Sequence, residues 1–128
     1  MTKGKTIALW IIQIMVAGLF IMMGMGKLTG DPEVVANFTR WGMPDKMYLV
    51  IGFFEVLGAV GLLIPRLAGL AAVGLILIMG GAVFTHLTHH EMGMAIVPLM
   101  VLIFLGVIVY LRNPLSIFKK AEKASNLL

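Results

Sequence analysis

Gly52-Phe53-Phe54-Glu55-Val56-Leu57-Gly58-Ala59-Val60-Gly61-Leu62-Leu63-Ile64-Pro65 carries a single acid in an otherwise apolar run. A carboxylate near the middle of a bilayer-spanning helix costs about 2.5–3.5 kcal/mol on insertion scales, so it persists only beside a partner or a polar cavity. Gly52, Gly58 and Gly61 stand three or six positions from Glu55, on nearly the same helical face, and small residues there let another helix approach closely. Glu55 is thus expected to face protein and not lipid, which makes it the leading functional residue and Gly52, Gly58 and Gly61 packing residues.

The rest of the chain fits a helix of this kind. Of 128 residues, 60% are hydrophobic and 12% charged, with a mean hydropathy of +1.03; soluble domains carry about 25% charged residues. Four apolar runs, at about 20 residues per crossing, use up nearly the whole length. The expectation is an all-α protein: a four-helix transmembrane bundle forming a single membrane domain over residues 1–128. The net charge of +4 comes from basic residues scattered around the ends of the runs. That pattern suits orientation signals and anionic headgroups and argues against a nucleic-acid partner. The chain has no cysteine, which excludes thiol–disulfide exchange, thiolate metal sites and cysteine nucleophiles. The basic start, Met1-Thr-Lys-Gly-Lys5, could open a signal peptide, but the apolar run after it is too long and no A-x-A-like cleavage site follows. It reads as a retained first span.

The spans are placed at about residues 6–26, 47–64, 67–87 and 94–111. Between the first two lies a short amphipathic helix at about 32–41: Asp31 can cap it, Pro32 suits its first turn and Gly42 can end it. Val34, Phe38 and Trp41 recur at i, i+4 and i+7, opposite Glu33, Asn37 and Arg40, so this helix should lie in the membrane interface. The tight turn at Pro65-Arg66 makes spans 2 and 3 antiparallel neighbours. Pro98 should kink span 4. Residues 112–128 read as a basic amphipathic tail, with Ile117, Phe118 and Ala121 beside Lys119, Lys120 and Lys123. Lys3, Lys5, Arg66, Arg112, Lys119, Lys120 and Lys123 fall on one side, and Lys27, Arg40 and Lys46 on the other. That excess predicts both termini in the cytoplasm.

In this topology Glu55 lies about 12 Å below the outer surface. Helical side chains lean toward their own N-terminus, so Glu55 leans outward while Lys27, ending span 1, and His86, ending span 3, lean inward. The three are expected to meet around an outward-opening pocket, with water or a ligand bridging a gap of several ångströms. His86, His89 and His90, at i, i+3 and i+4, could share one helical face as metal ligands; the alternative for His89 and His90 is a solvated loop. Methionines at 22, 23, 25, 43, 47, 92 and 94 cluster toward the outer side. Thioethers suit monovalent copper, and equally fill irregular apolar gaps. Gln13 and Thr85 are too isolated for a reading. Phosphate loops, nucleophile triads and dinucleotide fingerprints are absent from the sequence.

Several of these pieces, in order, resemble the DoxX-like family of small four-span membrane proteins. They are Gly26-Lys27-Leu28; Phe38 with Trp41-Gly42-Met43-Pro44; Ile51-Gly52-x-x-Glu55-x-x-Gly58-Ala59; Leu62-Leu-Ile-Pro65-Arg66-Leu-Ala-Gly69-Leu-Ala-Ala72; and Gly81-Ala82-x-x-Thr85-His86-Leu87. The resemblance implies a four-helix bundle in a bacterial cytoplasmic membrane. It also implies a link to membrane redox chemistry, including quinone-dependent thiosulfate oxidation, and an oxidoreductase or other membrane-protein partner; animal relatives act as receptor-assembly chaperones. Without cysteine or a haem, flavin or nucleotide motif, the chain does not look like a self-sufficient redox enzyme.

Three functions follow as expectations. The first is a redox accessory whose pocket holds a quinone-like or other small amphipathic ligand. There Glu55 would exchange a proton or hydrogen bond with the ligand, and Lys27 and His86 would set its protonation and polarise a ligand oxygen. The second is a non-enzymatic assembly or scaffold subunit, in which the glycine faces dock partner spans or further copies of itself and Glu55 is structural glue between helices. The third is outer-face metal binding by His86, His89 and His90.

Overall fold

The structure, a computed structural model, describes residues 1–127; within the last helix it leaves the side chains at 116–118 and 120 undescribed. The apolar face expected of Ile117 and Phe118 lies outside the described residues. Six helices follow one another: α1 (Lys3–Leu28), α2 (Pro32–Arg40), α3 (Met47–Leu62), α4 (Ala68–Thr88), α5 (Met92–Leu111) and α6 (Ser116–Asn126). No strand occurs among the described residues.

Three of them, α1, α4 and α5, are long and apolar enough to cross a bilayer, and α3 is a shorter apolar helix of 16 residues. α1 begins three residues earlier than the hydropathy suggests because the Thr2 hydroxyl accepts from the Lys5 N–H, satisfying a first-turn amide. It also runs two residues past the expected end, carrying Lys27 within its last turn. α2 forms as its sequence grammar requires: the Asp31 carboxylate accepts from the Glu33 N–H at 3.0 Å, Pro32 opens it, and Gly42 follows it at φ 71°. α3 stops at Leu62 and not at Ile64, since Leu63 to Leu67 fold into the turn that precedes α4. α5 is helical on both sides of the buried Pro98. That residue has no N–H to give the Met94 carbonyl.

α1 packs along α3, α4 along α5, and α3 against α4, with a lighter contact between α1 and α5. Phe20 of α1, Leu62 of α3, Leu75 of α4 and Leu105 of α5 are among the buried residues of the core. The opposite faces carry an apolar belt, including Ile14, Leu77 and Ile103, that is exposed at the protein surface. Hydrocarbon is the environment that suits such a belt.

Two crossings set the spacing. An added Cβ on Gly24 would lie 2.9 Å from the Gly52 carbonyl oxygen, and one on Gly52 would lie 2.9 Å from the Gly24 carbonyl oxygen. There α1 and α3 touch backbone to backbone. On the other side of α3, a Cβ on Gly58 would fall 2.6 Å from Leu75 and one on Gly61 2.8 Å from the Ala71 Cβ. The three glycines therefore serve two neighbours: Gly52 seats α1, while Gly58 and Gly61 seat α4. Glu55 lies between the two contacts.

Candidate functional site

The close seat at Gly52 is what brings the charged residues together. A Cβ there would sit 2.8 Å from the Lys27 Cβ, so the missing side chain leaves room for the lysine stem to pass down along α3. One turn further on, Lys27 Nζ reaches Glu55 Oε1 at 2.7 Å, with the lysine side chain 17% and the glutamate side chain 1% exposed. The expected gap between these two residues is thus absent: they form a direct ion pair. Oε1 takes this contact, while Oε2 is buried without a hydrogen-bond partner.

Taking both charges out of water costs several kcal/mol per ion, which mutual attraction recovers only with good geometry and full hydrogen bonding. Hydrophobic residues of the same volume would hold the helices together at least as well. The pair is therefore poorly explained as glue.

Glu55 and Lys27 line a cavity of ≈ 650 Å³ reached by α1 to α5, within the usual range for small-molecule sites. Its polar lining is sparse, with Asn37, Trp41, Thr85 and His86 joining the ion pair. Phe38, Ile51, Met79, Val97 and Val101 contribute apolar wall, and Pro98 and Met94 are part of it too.

His86 borders the same cavity but turns elsewhere. Its Nδ1 lies 3.5 Å from Glu91 Oε2, and the edge of its ring meets Trp41 with centroids 5.3 Å apart. The expected triad of Glu55, Lys27 and His86 resolves into a pair and a separate histidine. Glu91, which the sequence did not single out, is a second hub. Trp41 Nε1 donates to its Oε1 at 2.9 Å and Arg40 donates to its Oε2 at 3.0 Å. These donors fasten α2 to the loop before α5. The Trp41 N–H above all holds the Glu91 carboxyl below its ordinary value of 4.5; burial, the next largest effect, opposes it, and the Arg40 charge and His86 add to the lowering. The one sequence signal that could have found Glu91 is its position directly after the histidine pair, across from Arg40-Trp41.

The three histidines do not come together. α4 ends at Thr88, His90 takes a left-handed φ of 58°, and His89 Nδ1 lies 2.9 Å from the Thr85 carbonyl of its own helix. The i, i+3, i+4 face requires helix through residue 90, and the helix stops short. Among the described residues no three His, Asp or Glu side chains form a group that could hold a metal ion.

A second buried polar cluster lies at the other end of the bundle. Gln13 is fully buried, donates through Nε2 to the Leu62 carbonyl at 2.6 Å and accepts from Arg112 Nε at 2.9 Å. The Arg112 guanidinium sits over the Trp10 ring at 5.3 Å. Gln13, isolated in its run, finds partners 49 and 99 residues away.

Long apolar helices, an exposed apolar belt and a charge pair sealed between helices define an integral membrane protein of the helical class. Residues 11–108 match the DoxX-like family, and the chain belongs to that family. No curated protein and no solved structure matches it.

Proposed function

We propose that the protein is a four-span accessory of membrane redox chemistry whose cavity at Glu55 holds a quinone-like or other small amphipathic ligand. In this reading α3 is the fourth span, α2 lies in the outer interface, and both termini face the bacterial cytoplasm. The observation that carries it is the Lys27–Glu55 pair on the cavity wall, with Glu55 Oε2 buried and without a donor. A ligand hydroxyl would supply that donor, while the Lys27 ammonium polarises an adjacent ligand oxygen. His86, turned toward Glu91, acts at the cavity rim and not on the Glu55 carboxylate. Gly52, Gly58 and Gly61 are occupied by contacts within the chain, which removes them as support for a scaffold that docks partner spans.

Organic extraction of the purified protein tests the ligand. Wild type should release a lipid-soluble redox-active compound in near-stoichiometric amount, and Glu55→Gln, equally well folded, should release little. Equal recovery from both would sink the assignment of Glu55. The orientation is tested separately with an impermeant thiol reagent on intact cells. Ala36→Cys and His90→Cys should label and Ser125→Cys should not; the reverse pattern inverts the topology.

A further inference from the structure

The outward end of the cavity is roofed. Val34, Asn37, Phe38 and Trp41 of the α2 segment line it, and Arg40 and Trp41 tie that segment to Glu91. The side of the cavity is different. Leu77, Gly81 and Phe84 of α4 all line it, and they recur at i, i+4 and i+7 on one helical face. Leu77 is 73% and Phe84 68% exposed, as is Val97 of α5 at 56%. These residues belong at once to the cavity wall and to the apolar belt. Gly81 is itself exposed, and a Cβ added there would meet nothing within 4 Å. It leaves a notch between two bulky side chains, at the level where the cavity meets the outer surface.

We infer that this notch is a lateral port through which the hydrocarbon tail of the ligand runs from the Glu55 cavity into the bilayer. The inference rests on the ligand-binding reading of that cavity and adds the class of ligand. It is a lipid-borne molecule with a hydrogen-bond-donating headgroup, directed to Glu55 Oε2, and an apolar chain leaving past Leu77, Gly81 and Phe84. Such a molecule need not pass through water, which fits a cavity whose polar groups lie inside and whose side opening is apolar. A compact water-soluble ligand would instead need the end that α2 covers.

The test uses the full chain in lipid nanodiscs and two phenols with the same headgroup: 4-dodecylphenol carrying a diazirine in its chain, and a tailless diazirine phenol. Both should label wild type saturably. The tailed probe should mark peptides containing Leu77, Phe84 or Val97. Gly81→Leu, which fills the notch without a backbone clash, should weaken the tailed probe about tenfold, the effect of displacing a few methylenes, and leave the tailless one within about twofold. Gly81→Ala, a smaller filling, should weaken the tailed probe less. Because both probes meet the same bilayer, partitioning cancels in the comparison of wild type with variant. Retained tailed-probe affinity in a monodisperse Gly81→Leu protein, or chain crosslinks confined to α2, would overturn the port while leaving the cavity assignment standing. Absence of saturable labelling by either phenol would overturn the cavity reading and the port with it.

Discussion

The two ends of the bundle each bury polar side chains, and they treat them in opposite ways. At one end, Gln13 has both halves of its amide engaged, one by the Leu62 carbonyl and the other by Arg112, whose Nη2 is itself buried without a partner. At the cavity end, Glu55 has one ammonium contact, an oxygen without any donor and ≈ 650 Å³ of space beside it. A buried amide with its partners in place is inexpensive and ties three helices together. A buried carboxylate left half satisfied is costly, and packing alone does not account for it. Burial is common to both side chains; what differs is how many partners the chain gives Gln13 and Glu55.

The largest effect is expected from breaking the ion pair on one side. Lys27→Leu strands a buried charge and should destabilise the protein by about 3–5 kcal/mol, whereas Lys27→Leu with Glu55→Leu should return to wild-type stability or exceed it. Chemical unfolding in detergent reads both. A double variant as unstable as the single one would show that the pair holds the fold together and would erase the contrast between the ends.

Gln13→Leu should come next, at about 1–3 kcal/mol, from the Leu62 carbonyl and Arg112 left without partners. Ligand retention measured on the same preparation should stay at the wild-type level; a loss would mean that the Gln13 end also serves the site.

Glu55→Gln keeps shape and hydrogen-bonding capacity while removing the charge, and Lys27 can extend its ammonium toward the headgroups. We expect stability to change by less than about 1 kcal/mol, together with loss of the bound ligand. A glutamine variant that keeps its ligand would reduce Glu55 to packing and make the two ends alike.

The smallest effect should appear at the Glu91 strap. Its folded-state pKa is lowered by Trp41, Arg40 and His86, so its contribution is complete above the ordinary value of 4.5 and disappears as pH falls through the lowered value. An acid transition in tryptophan fluorescence should therefore begin below about pH 4.5 in wild type and be missing from Glu91→Gln. The same transition in both proteins would place its origin elsewhere.

The helices were legible because hydropathy and capping are local properties. The Asp31–Pro32 start of α2, the apolar run of α4 and the acid standing alone in α3 can each be read without knowing what lies opposite. Lys27 and Glu55 could be matched for the same reason: opposite charges toward the same end of adjacent antiparallel helices have few other places to go. The directness of their contact was not legible, because it depends on Gly52 admitting the Lys27 stem, a distance between two backbones. The histidines do not share the face that their spacing suggests. Residue spacing suggests a shared face only while the helix continues, and the chain turns left-handed at His90.

By itself, then, the sequence determined the all-helical membrane class, the order of the apolar helices and the acid that cannot face lipid, since each follows from the cost of placing particular side chains in hydrocarbon. Only the tertiary structure decided that Gln13 would meet Arg112, that Glu91 would gather Trp41, Arg40 and His86, and that Glu55 would keep one oxygen free beside a cavity. Those outcomes depend on helix separation and rotation to within a few ångströms. Such distances are set by close packing of the whole bundle and carry no signature in any single segment.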